Sequence, residues 1–254
     1  MTIILTPKNV HYRLSSFISA ALITGAYLII YIAFHTITED TLKGLDLSLL
    51  TLFILNGIGI LFSQPFTYIY ERTFGLVSDV SLLELSDTNS SLLRQLSEKA
   101  PGTFQHSMQV ANLAEAAAAE IGANTLLVRV GALYHDIGKM QNPLYFIENQ
   151  KTSLNPHDQL TPLQSAKVII KHVADGIELA RKHKLPERLI DFIRTHHGRS
   201  LTYYFYRKEL DTNPNAKEED FRYPGPIPFS KETAILMMAD SVEAATKSLK
   251  NPTY

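Results

Sequence analysis

Two long apolar stretches without charged residues occupy the N-terminal part of the chain. The first runs from Phe17 to Phe34 and the second from Leu47 to Tyr70. About 20 apolar residues are enough for a helix to cross a bilayer, and helices of soluble proteins rarely stay uncharged over such a length. The pattern therefore predicts two transmembrane helices, at about residues 14–36 and 47–70, in a membrane anchor that covers residues 1–71.

The charges that flank these stretches indicate an orientation. Lys8 and Arg13 precede the first stretch and Arg72 follows the second, whereas the connecting segment holds three acidic residues and one lysine. Positive residues near a span favour the cytoplasmic side of a membrane. Both ends of the anchor, and the large remainder of the chain, are therefore expected in the cytoplasm. A pair of buried helices in a soluble core is the alternative for the same pattern.

Beyond the anchor, apolar positions recur with helical spacing and show no alternation typical of strands. We predict junction helices over residues 72–99 and an all-α domain over residues 100–254. Thr103 follows a Pro-Gly turn and is predicted to cap the first long helix of that domain. The predicted helices of the domain are residues 104–121, 125–138, 162–183, 186–197 and 230–250, and the predicted long loops are residues 141–160 and 203–228.

Composition limits the chemistry that this domain can perform. The chain has no cysteine, so disulfides and thiolate metal ligands are excluded. Any metal site must use imidazole, carboxylate or other oxygen ligands. The formal net charge is -1, so there is no overall positive field that would favour a nucleic acid polymer as partner.

Seven candidate metal ligands occur on different predicted helices or helix ends. They are His106, His135, Asp136, His172, His196, His197 and Asp240. Helix bundles build metal sites from side chains that project inward in this way. Imidazole and carboxylate together suit Zn, Mn or Fe. Seven groups exceed the needs of one ion, whereas two ions that share a carboxylate would use them all.

Several motifs resemble the signature of the HD-domain phosphohydrolases. They are PGTFQHS, ALYHDIGKM, HV at 172–173, THHG and MMADSVEA. The stretches YERTFGLVSDVSLLELSD and SLLRQLSEKAPGTFQHSMQVANLAEAAA are similar, more narrowly, to the membrane-anchored 7TM-HD receptors of the PgpH type. This resemblance covers the chain from about Gln64 onward. It implies a fragment that holds the last two of seven spans and an HD domain, in a bacterial (inner) membrane.

The resemblance also implies an activity and a division of roles among the candidates. The expected reaction is hydrolysis of cyclic di-AMP to linear pApA by a hydroxide that two metal ions, Fe or Mn, activate. His106, His135, Asp136 and Asp240 would hold the first ion, and Asp136 would bridge to a second ion completed by His172, His196 and His197.

Two basic residues are further candidates for the site. Lys139, with Asp136, is expected to be catalytic, and Lys139 and Arg199 are expected to bind substrate phosphate. The alternative for Lys139 is an exposed lysine that the helix dipole favours at a helix end.

Other functions remain open at this point. One alternative is hydrolysis of cyclic di-GMP or of another nucleotide. HD proteins of the cyclic di-GMP class continue the His-His pair into a Glu and a Gly-Tyr-Pro motif, whereas this chain continues GRSLTYYFY. A second alternative is a non-catalytic nucleotide-binding sensor, which should lack ligands that are all present here. The expected partners are cyclic di-AMP, a lipid bilayer and a homodimer mate.

Overall fold

The computed structural model describes residues 7–150 and 154–248. Within those ranges the backbone forms α-helices and short 3-10 helices, and its one extended pairing is an isolated antiparallel bridge between Leu201 and Arg222. The all-α prediction is therefore confirmed. The chain divides into two compact units, one that ends at Val80 and one that begins at Ser81.

The first unit contains two long helices, α1 (Pro7–Glu39) and α2 (Leu47–Phe74). Asp46 begins α2 because its carboxylate accepts a hydrogen bond from the Ser48 amide at 2.8 Å. The helix ends at Gly75, which adopts the left-handed conformation (φ 63°) that glycine tolerates best. Both helices extend beyond the predicted spans, α1 at both ends and α2 as far as Phe74 before its cap at Gly75.

Close packing joins α1 to α2. The rings of Tyr27 and Phe53 stack with their centroids 5.6 Å apart. A Cβ atom on Gly57 would lie 2.1 Å from the Thr24 hydroxyl, so glycine permits the close approach of the two helices at this point. By length and composition, Phe17–Glu39 could cross a membrane, and its mean hydropathy is 2.1. Among the described residues, the apolar part of α2 is shorter and covers Leu47–Phe62.

The second unit contains the other eight α-helices of the described residues. They are α3 (Asp79–Leu85, which begins just before the division), α4 (Ser91–Lys99), α5 (Pro101–Glu120), α6 (Thr125–Tyr134), α7 (Pro162–Lys182), α8 (Glu187–Thr195), α9 (Tyr203–Leu210) and α10 (Lys231–Ser248). Short 3-10 helices cover Ile137–Gln141, Pro143–Tyr145, Ile147–Asn149, Pro156–Gln159 and Glu218–Phe221. The core lies where α5 packs against α4, α6 and α10, and its fully buried apolar side chains include Leu93, Leu96, Val110, Ala114, Val128, Ile193 and Leu236.

Local signals explain several of these helix ends. Asn124 caps α6 by accepting a hydrogen bond from the Leu127 amide at 2.9 Å. Thr161 and Gln164 form a reciprocal capping box at the start of α7, which confirms the predicted helix there. The connection between α3 and α4 is held by Tyr134, whose buried hydroxyl donates to the Leu85 carbonyl at 3.0 Å.

Three predictions about local structure are wrong. The helix that begins at Thr125 ends at Tyr134 rather than at residue 138, because the chain turns at the His-Asp pair and continues as a 3-10 helix. The segment 203–228 is not only loop, since α9 begins at Tyr203. Thr103 does not cap α5, which begins at Pro101; its side chain bonds to a segment 45 residues away instead.

Candidate metal centre

Two close helix contacts bring the candidate ligands together. A Cβ atom on Gly131 of α6 would lie 2.5 Å from the Phe192 ring of α8. Only glycine at residue 131 therefore permits the two helices to approach this closely. One helical turn further along each helix stand His135 and His196. Their rings meet with centroids 4.9 Å apart. The contact between Gly131 and Phe192 thus helps to determine where the two imidazoles meet.

The structure places all seven candidates in one cluster. His106 lies on α5, His172 on α7 and Asp240 on α10, whereas the two adjacent pairs lie just beyond the last residues of α6 and α8. All are buried except His197, which is partly exposed. Two groups of potential ligand atoms lie within 4.8 Å of one another: Asp136 with His172, His196 and His197, and Asp136 with His106 and His135.

Asp136 divides the cluster into two halves with its two carboxylate oxygens. Oδ2 lies 3.5 Å from His106 Nε2 and 3.3 Å from His135 Nε2. Oδ1 lies 3.3 Å from His172 Nε2 and 3.5 Å from His196 Nε2. One carboxylate therefore faces two separate sets of imidazole nitrogens, which is the arrangement that a bridging ligand requires.

Backbone carbonyls fix the tautomer of three of these histidines. His135, His172 and His196 each bond through Nδ1 to the carbonyl three residues earlier, at 2.7, 2.6 and 2.8 Å. A carbonyl can only accept, so each Nδ1 carries a proton, and the neutral form of each imidazole presents its lone pair at Nε2. The Nε2 atoms of His172 and His196 face each other at 3.2 Å. Two lone pairs at that distance repel each other unless a cation lies between them.

Unpartnered polar atoms also indicate that the cluster fits a metal. Among the described residues, Asp136 Oδ1 and His135 Nε2 are buried and have no hydrogen-bond partner. Buried polar atoms without a partner are uncommon in folded proteins and call for an explanation. A His and Asp donor set is compatible with a divalent transition metal, and a metal ion would satisfy these atoms.

Asp240 completes the first half of the cluster, and an unpredicted residue supports it. Asp240 Oδ1 lies 3.0 Å from His106 Nε2 and 3.8 Å from His135 Nε2. Glu243, one turn later on α10, is buried and places Oε2 at 2.7 Å from His106 Nδ1. Carboxylates behind metal-binding histidines orient the ring and increase its basicity. Sequence reasoning missed Glu243, although its spacing of three residues from Asp240 puts both on one helix face.

The electrostatics of the cluster favour the metal-binding protonation states of Asp136, His196 and His197, but not that of His135. Burial opposes the charge of Asp136, yet Lys139 and His135 outweigh it and hold the pKa of Asp136 well below its usual value. Burial, together with neighbouring imidazoles, lowers the pKa of His197 well below 6.5 and also lowers that of His196. Burial would lower the pKa of His135 too, but Asp136 and Asp240 raise it to about 9. A bound ion would therefore displace a proton from His135.

Lys139 is a buried partner of the central carboxylate. Its Nζ lies 2.6 Å from Asp136 Oδ2 and 2.9 Å from Glu148 Oε1. Its side chain is only 12% exposed, so the alternative of an exposed lysine at a helix end is wrong. Glu148 in turn accepts a hydrogen bond from Thr103 Oγ1 at 3.1 Å. Sequence reasoning missed Glu148, which comes from a segment that was predicted to be loop.

Removing the charge of Lys139 should destabilise the metal-free protein. In Lys139→Met the buried Asp136 carboxylate and the partly buried Glu148 carboxylate lose their shared cation, and breaking a buried ion pair in this way costs about 3–5 kcal/mol. The matched control is Lys171→Met, because Lys171 is 65% exposed and its pairing with Asp175 (3.5 Å) should contribute less than about 1 kcal/mol. Urea unfolding of the second unit measures both. Equal stabilities of the two variants would contradict a structural ion pair at Lys139.

Arg199 lies outside the cluster. It is exposed, its side chain passes Gly225, and its carbonyl accepts a hydrogen bond from Arg222 Nη1 at 2.9 Å. Tyr223, by contrast, was not a candidate, yet it is buried and its ring stacks on His197. The structure therefore gathers the seven candidate ligands and Lys139, leaves Arg199 at the surface, and adds Glu148, Tyr223 and Glu243.

Facing helices of this all-helical domain bring five histidines and two aspartates into one cluster around the Asp136 carboxylate. The class that the fold and site define is a helical domain with a His/Asp donor set compatible with divalent metals. Residues 103–245 match the HD domain family, and the chain belongs to that family. The matched segment contains all seven candidate ligands.

Relatives with the same domain are known. The chain is 52% identical over 185 residues to the cyclic-di-AMP phosphodiesterase PgpH of Listeria monocytogenes serotype 1/2a (strain 10403S), an alignment that covers 73% of this chain and 26% of that protein. It is 46% identical over 230 residues to PgpH of Bacillus subtilis (strain 168), covering 89% and 32%. The chain thus spans about a quarter to a third of the length of the curated relatives it matches.

A solved structure resembles the second unit. The crystal structure of the L. monocytogenes PgpH HD domain in complex with cyclic-di-AMP superposes with a TM-score of 0.64 at 54% sequence identity. The match covers 66% of this chain and 78% of that chain. At this identity the two domains share many side chains as well as the fold.

Proposed function

We propose that this chain is a metal-dependent phosphodiesterase that hydrolyses cyclic di-AMP to linear pApA. The observation that carries the proposal is the division of the Asp136 carboxylate between two sets of imidazoles, each with its lone pairs directed inward. The substrate is supported by relatives at 46–52% identity that are named cyclic-di-AMP phosphodiesterases and by a similar domain crystallised with that dinucleotide.

Two divalent ions, Fe or Mn, are the proposed cofactors. His106, His135 and Asp240 would hold one ion and His172, His196 and His197 the other, with Asp136 shared between them. When bound, a pair of such ions lowers the pKa of coordinated water and offsets the negative charge that builds on a phosphoryl group. Asp136, His196 and His197 favour the deprotonated forms that bind metals, whereas His135 must give up a proton when an ion binds.

Two basic residues have distinct proposed roles. Lys139 keeps its proton because Asp136 and Glu148, against the opposing effect of burial, raise its pKa further above the usual value. Its ammonium therefore places a fixed positive charge beside the shared carboxylate, where it offsets charge on the reacting phosphate. Arg199 is exposed two residues after His197, and its guanidinium can bind phosphate oxygens in a bidentate manner from the surface.

We also propose that residues 1–71 anchor the protein in a bacterial inner membrane, as the last two spans of a 7TM-HD receptor. Large apolar side chains on both helices are more than half exposed in the first unit, among them Leu22, Ile29, Phe34 and Leu55. Contiguous exposed apolar surface of this kind indicates a membrane or protein partner. Residues 72–99 would connect the anchor to a cytoplasmic catalytic domain over residues 100–254, and a homodimer is part of the same proposal.

The proposal is tested by turnover with the full chain in detergent. The protein is stripped of metal with a chelator, reloaded separately with Mn²⁺ or Fe²⁺, and incubated with cyclic di-AMP, cyclic di-GMP or single-stranded RNA. We expect the reloaded protein to convert cyclic di-AMP to pApA and the metal-free protein not to do so, because the imidazoles contribute to hydrolysis only through a bound cation. Chromatography of the nucleotides separates substrate from product.

Two outcomes would contradict the proposal in different ways. Turnover of cyclic di-GMP without turnover of cyclic di-AMP would replace the substrate and leave the metal chemistry in place. Binding of two metal ions and of cyclic di-AMP without hydrolysis would make the domain a non-catalytic nucleotide sensor.

A further inference from the structure

Four of the five clustered histidines are oriented by a hydrogen bond at Nδ1. His135, His172 and His196 use backbone carbonyls of their own helices, and His106 uses the Glu243 carboxylate. A partner on the other ring nitrogen normally sets the tautomer and the ring orientation of a metal-binding histidine. The fifth histidine, His197, must be oriented by another kind of contact.

His197 lies two residues beyond the last residue of α8. α8 ends at Thr195, and the chain turns at Gly198 (φ 51°), whose amide bonds to the Thr195 carbonyl at 2.8 Å. Within the ranges that the structure describes, the His197 side chain makes ring contacts and no hydrogen bond. Its centroid lies 4.1 Å from that of His196 and 4.2 Å from that of Tyr223.

Tyr223 covers the face of His197. The two rings are inclined by 30°, close to the stacked arrangement, and Tyr223 is only 6% exposed. Stacked rings with a short centroid separation restrict each other's rotation and exclude water from the shared face.

Backbone pairing ties Tyr223 to the segment that follows His197. The Tyr223 amide donates to the Ser200 carbonyl at 2.9 Å, and the Thr202 amide donates to the Phe221 carbonyl at 2.9 Å. The isolated bridge between Leu201 and Arg222 lies between these two bonds. The tyrosine is therefore attached to the same short stretch of chain as the histidine it covers.

We propose that Tyr223 is a positioning residue whose ring holds His197 in the orientation that completes the second ion's ligand set. This inference rests on the proposed function, because it assumes that the second half of the cluster binds an ion. It predicts that an aromatic ring at residue 223 is needed for the second ion and that the hydroxyl is not.

The test is Mn²⁺ binding to the full chain in detergent, measured by equilibrium dialysis and by electron paramagnetic resonance. The variants are Tyr223→Phe, which keeps the ring, and Tyr223→Leu and Tyr223→Met, which remove it with different shapes. The matched control is Phe221→Leu, because Phe221 is buried on the same segment and its ring contacts Tyr206, at 5.5 Å, rather than a histidine.

We expect wild type, Tyr223→Phe and Phe221→Leu to bind two ions with the broad spectrum of a coupled pair. Tyr223→Leu and Tyr223→Met should keep the first ion and bind the second about 10–100-fold more weakly, the usual effect of losing an outer partner of a ligand. Their spectrum should shift toward the sharp hyperfine pattern of isolated Mn²⁺. Should Tyr223→Leu fail to fold, by circular dichroism, Tyr223→Met carries the comparison.

Four results would overturn the inference. The first is tight binding of both ions by Tyr223→Leu and Tyr223→Met. The second is an equal loss of affinity for the second ion in Tyr223→Phe, which would assign the effect to the hydroxyl. The third is an equal loss in Phe221→Leu, which would indicate general loosening of the segment. The fourth is a wild-type protein that binds no Mn²⁺, and the proposed function is overturned with the inference only if this protein binds no Fe²⁺ either.

Discussion

Asp136→Ala should lose both metal ions and hydrolyse cyclic di-AMP at least about a thousand-fold more slowly than the wild type. A metal pair contributes several kcal/mol to such a reaction, and each 1.4 kcal/mol changes the rate about tenfold. The reason is geometric. Asp136 is the residue whose two oxygens face both halves of the cluster, at 3.3 to 3.5 Å from four imidazole nitrogens.

The loss of this carboxylate has a second consequence inside the cluster. Lys139 would keep only Glu148 as an anionic partner, so its ammonium would compete with a cation for the vacated space. The isosteric variant Asp136→Asn should therefore fail as well, since the amide restores the shape of the side chain and not its charge. Metal analysis and the rate of pApA formation from cyclic di-AMP measure both effects.

An exposed aspartate provides the matched control for Asp136. Asp211, at the end of α9, is exposed and lies outside the cluster, so Asp211→Ala should bind two ions and turn over substrate like the wild type. Retention of both ions by Asp136→Ala would contradict the assignment of this residue as the shared ligand. Retention of the ions with loss of turnover would limit its role to catalysis.

Gly138→Ala should destabilise the domain strongly, by about 4 kcal/mol or more, a magnitude that marks a specific steric conflict. A Cβ atom on Gly138 would lie 1.9 Å from the His172 carbonyl oxygen and 2.5 Å from the Gly176 amide nitrogen. Both contacts are with the backbone of α7, which cannot rotate away as a side chain can. The whole helix must move for the methyl group to fit.

Movement of α7 would also separate the halves of the metal centre. His172 lies on α7 one turn before Gly176, and its Nε2 lies 3.3 Å from Asp136 Oδ1. We therefore expect Gly138→Ala to bind the second ion poorly even under conditions where the protein remains folded. Urea unfolding gives the change in stability, and metal analysis of the folded fraction gives the number of ions.

Gly176→Ala is the graded control for Gly138→Ala. A Cβ atom on Gly176 would meet the Ile193 Cγ2 methyl at 2.9 Å and the Gly138 amide at 3.3 Å, so the closest obstacle is a side chain that can shift. Overpacking of this kind typically costs about 1–3 kcal/mol. Equal effects of the two substitutions would show that side-chain crowding, rather than the backbone contact at residue 138, limits the approach of the helices.

Helix periodicity and residue type were sufficient to predict much of this protein. The positions of α5, α7 and α10 follow from apolar spacing, which acts over a few residues. The identity of the seven candidate ligands follows from the absence of cysteine and from the placement of histidines and aspartates on separate helices. The resemblance to HD-domain phosphohydrolases added the family, which the match over residues 103–245 confirms.

Local reasoning failed where a partner lies far away in the chain. Thr103 has the sequence context of a helix cap, yet it forms its side-chain bond with Glu148, 45 residues later. Lys139 could be read equally well as an exposed lysine, and only the packing of the following 3-10 helices buries it between two carboxylates. Propensities describe a residue's neighbours in sequence, so they contain no information about such contacts.

The sequence by itself determined the helical class, the apolar stretches of the anchor and the chemical character of the donor set, because each depends on residue type and short-range spacing. The tertiary structure decided which atoms meet. It aimed the two oxygens of Asp136 at different histidines, placed Glu243 behind His106 across 137 residues, and set the Tyr223 ring on His197. These relations depend on how close two helices approach, and at Gly131 and Gly138 that distance is determined by packing across the core.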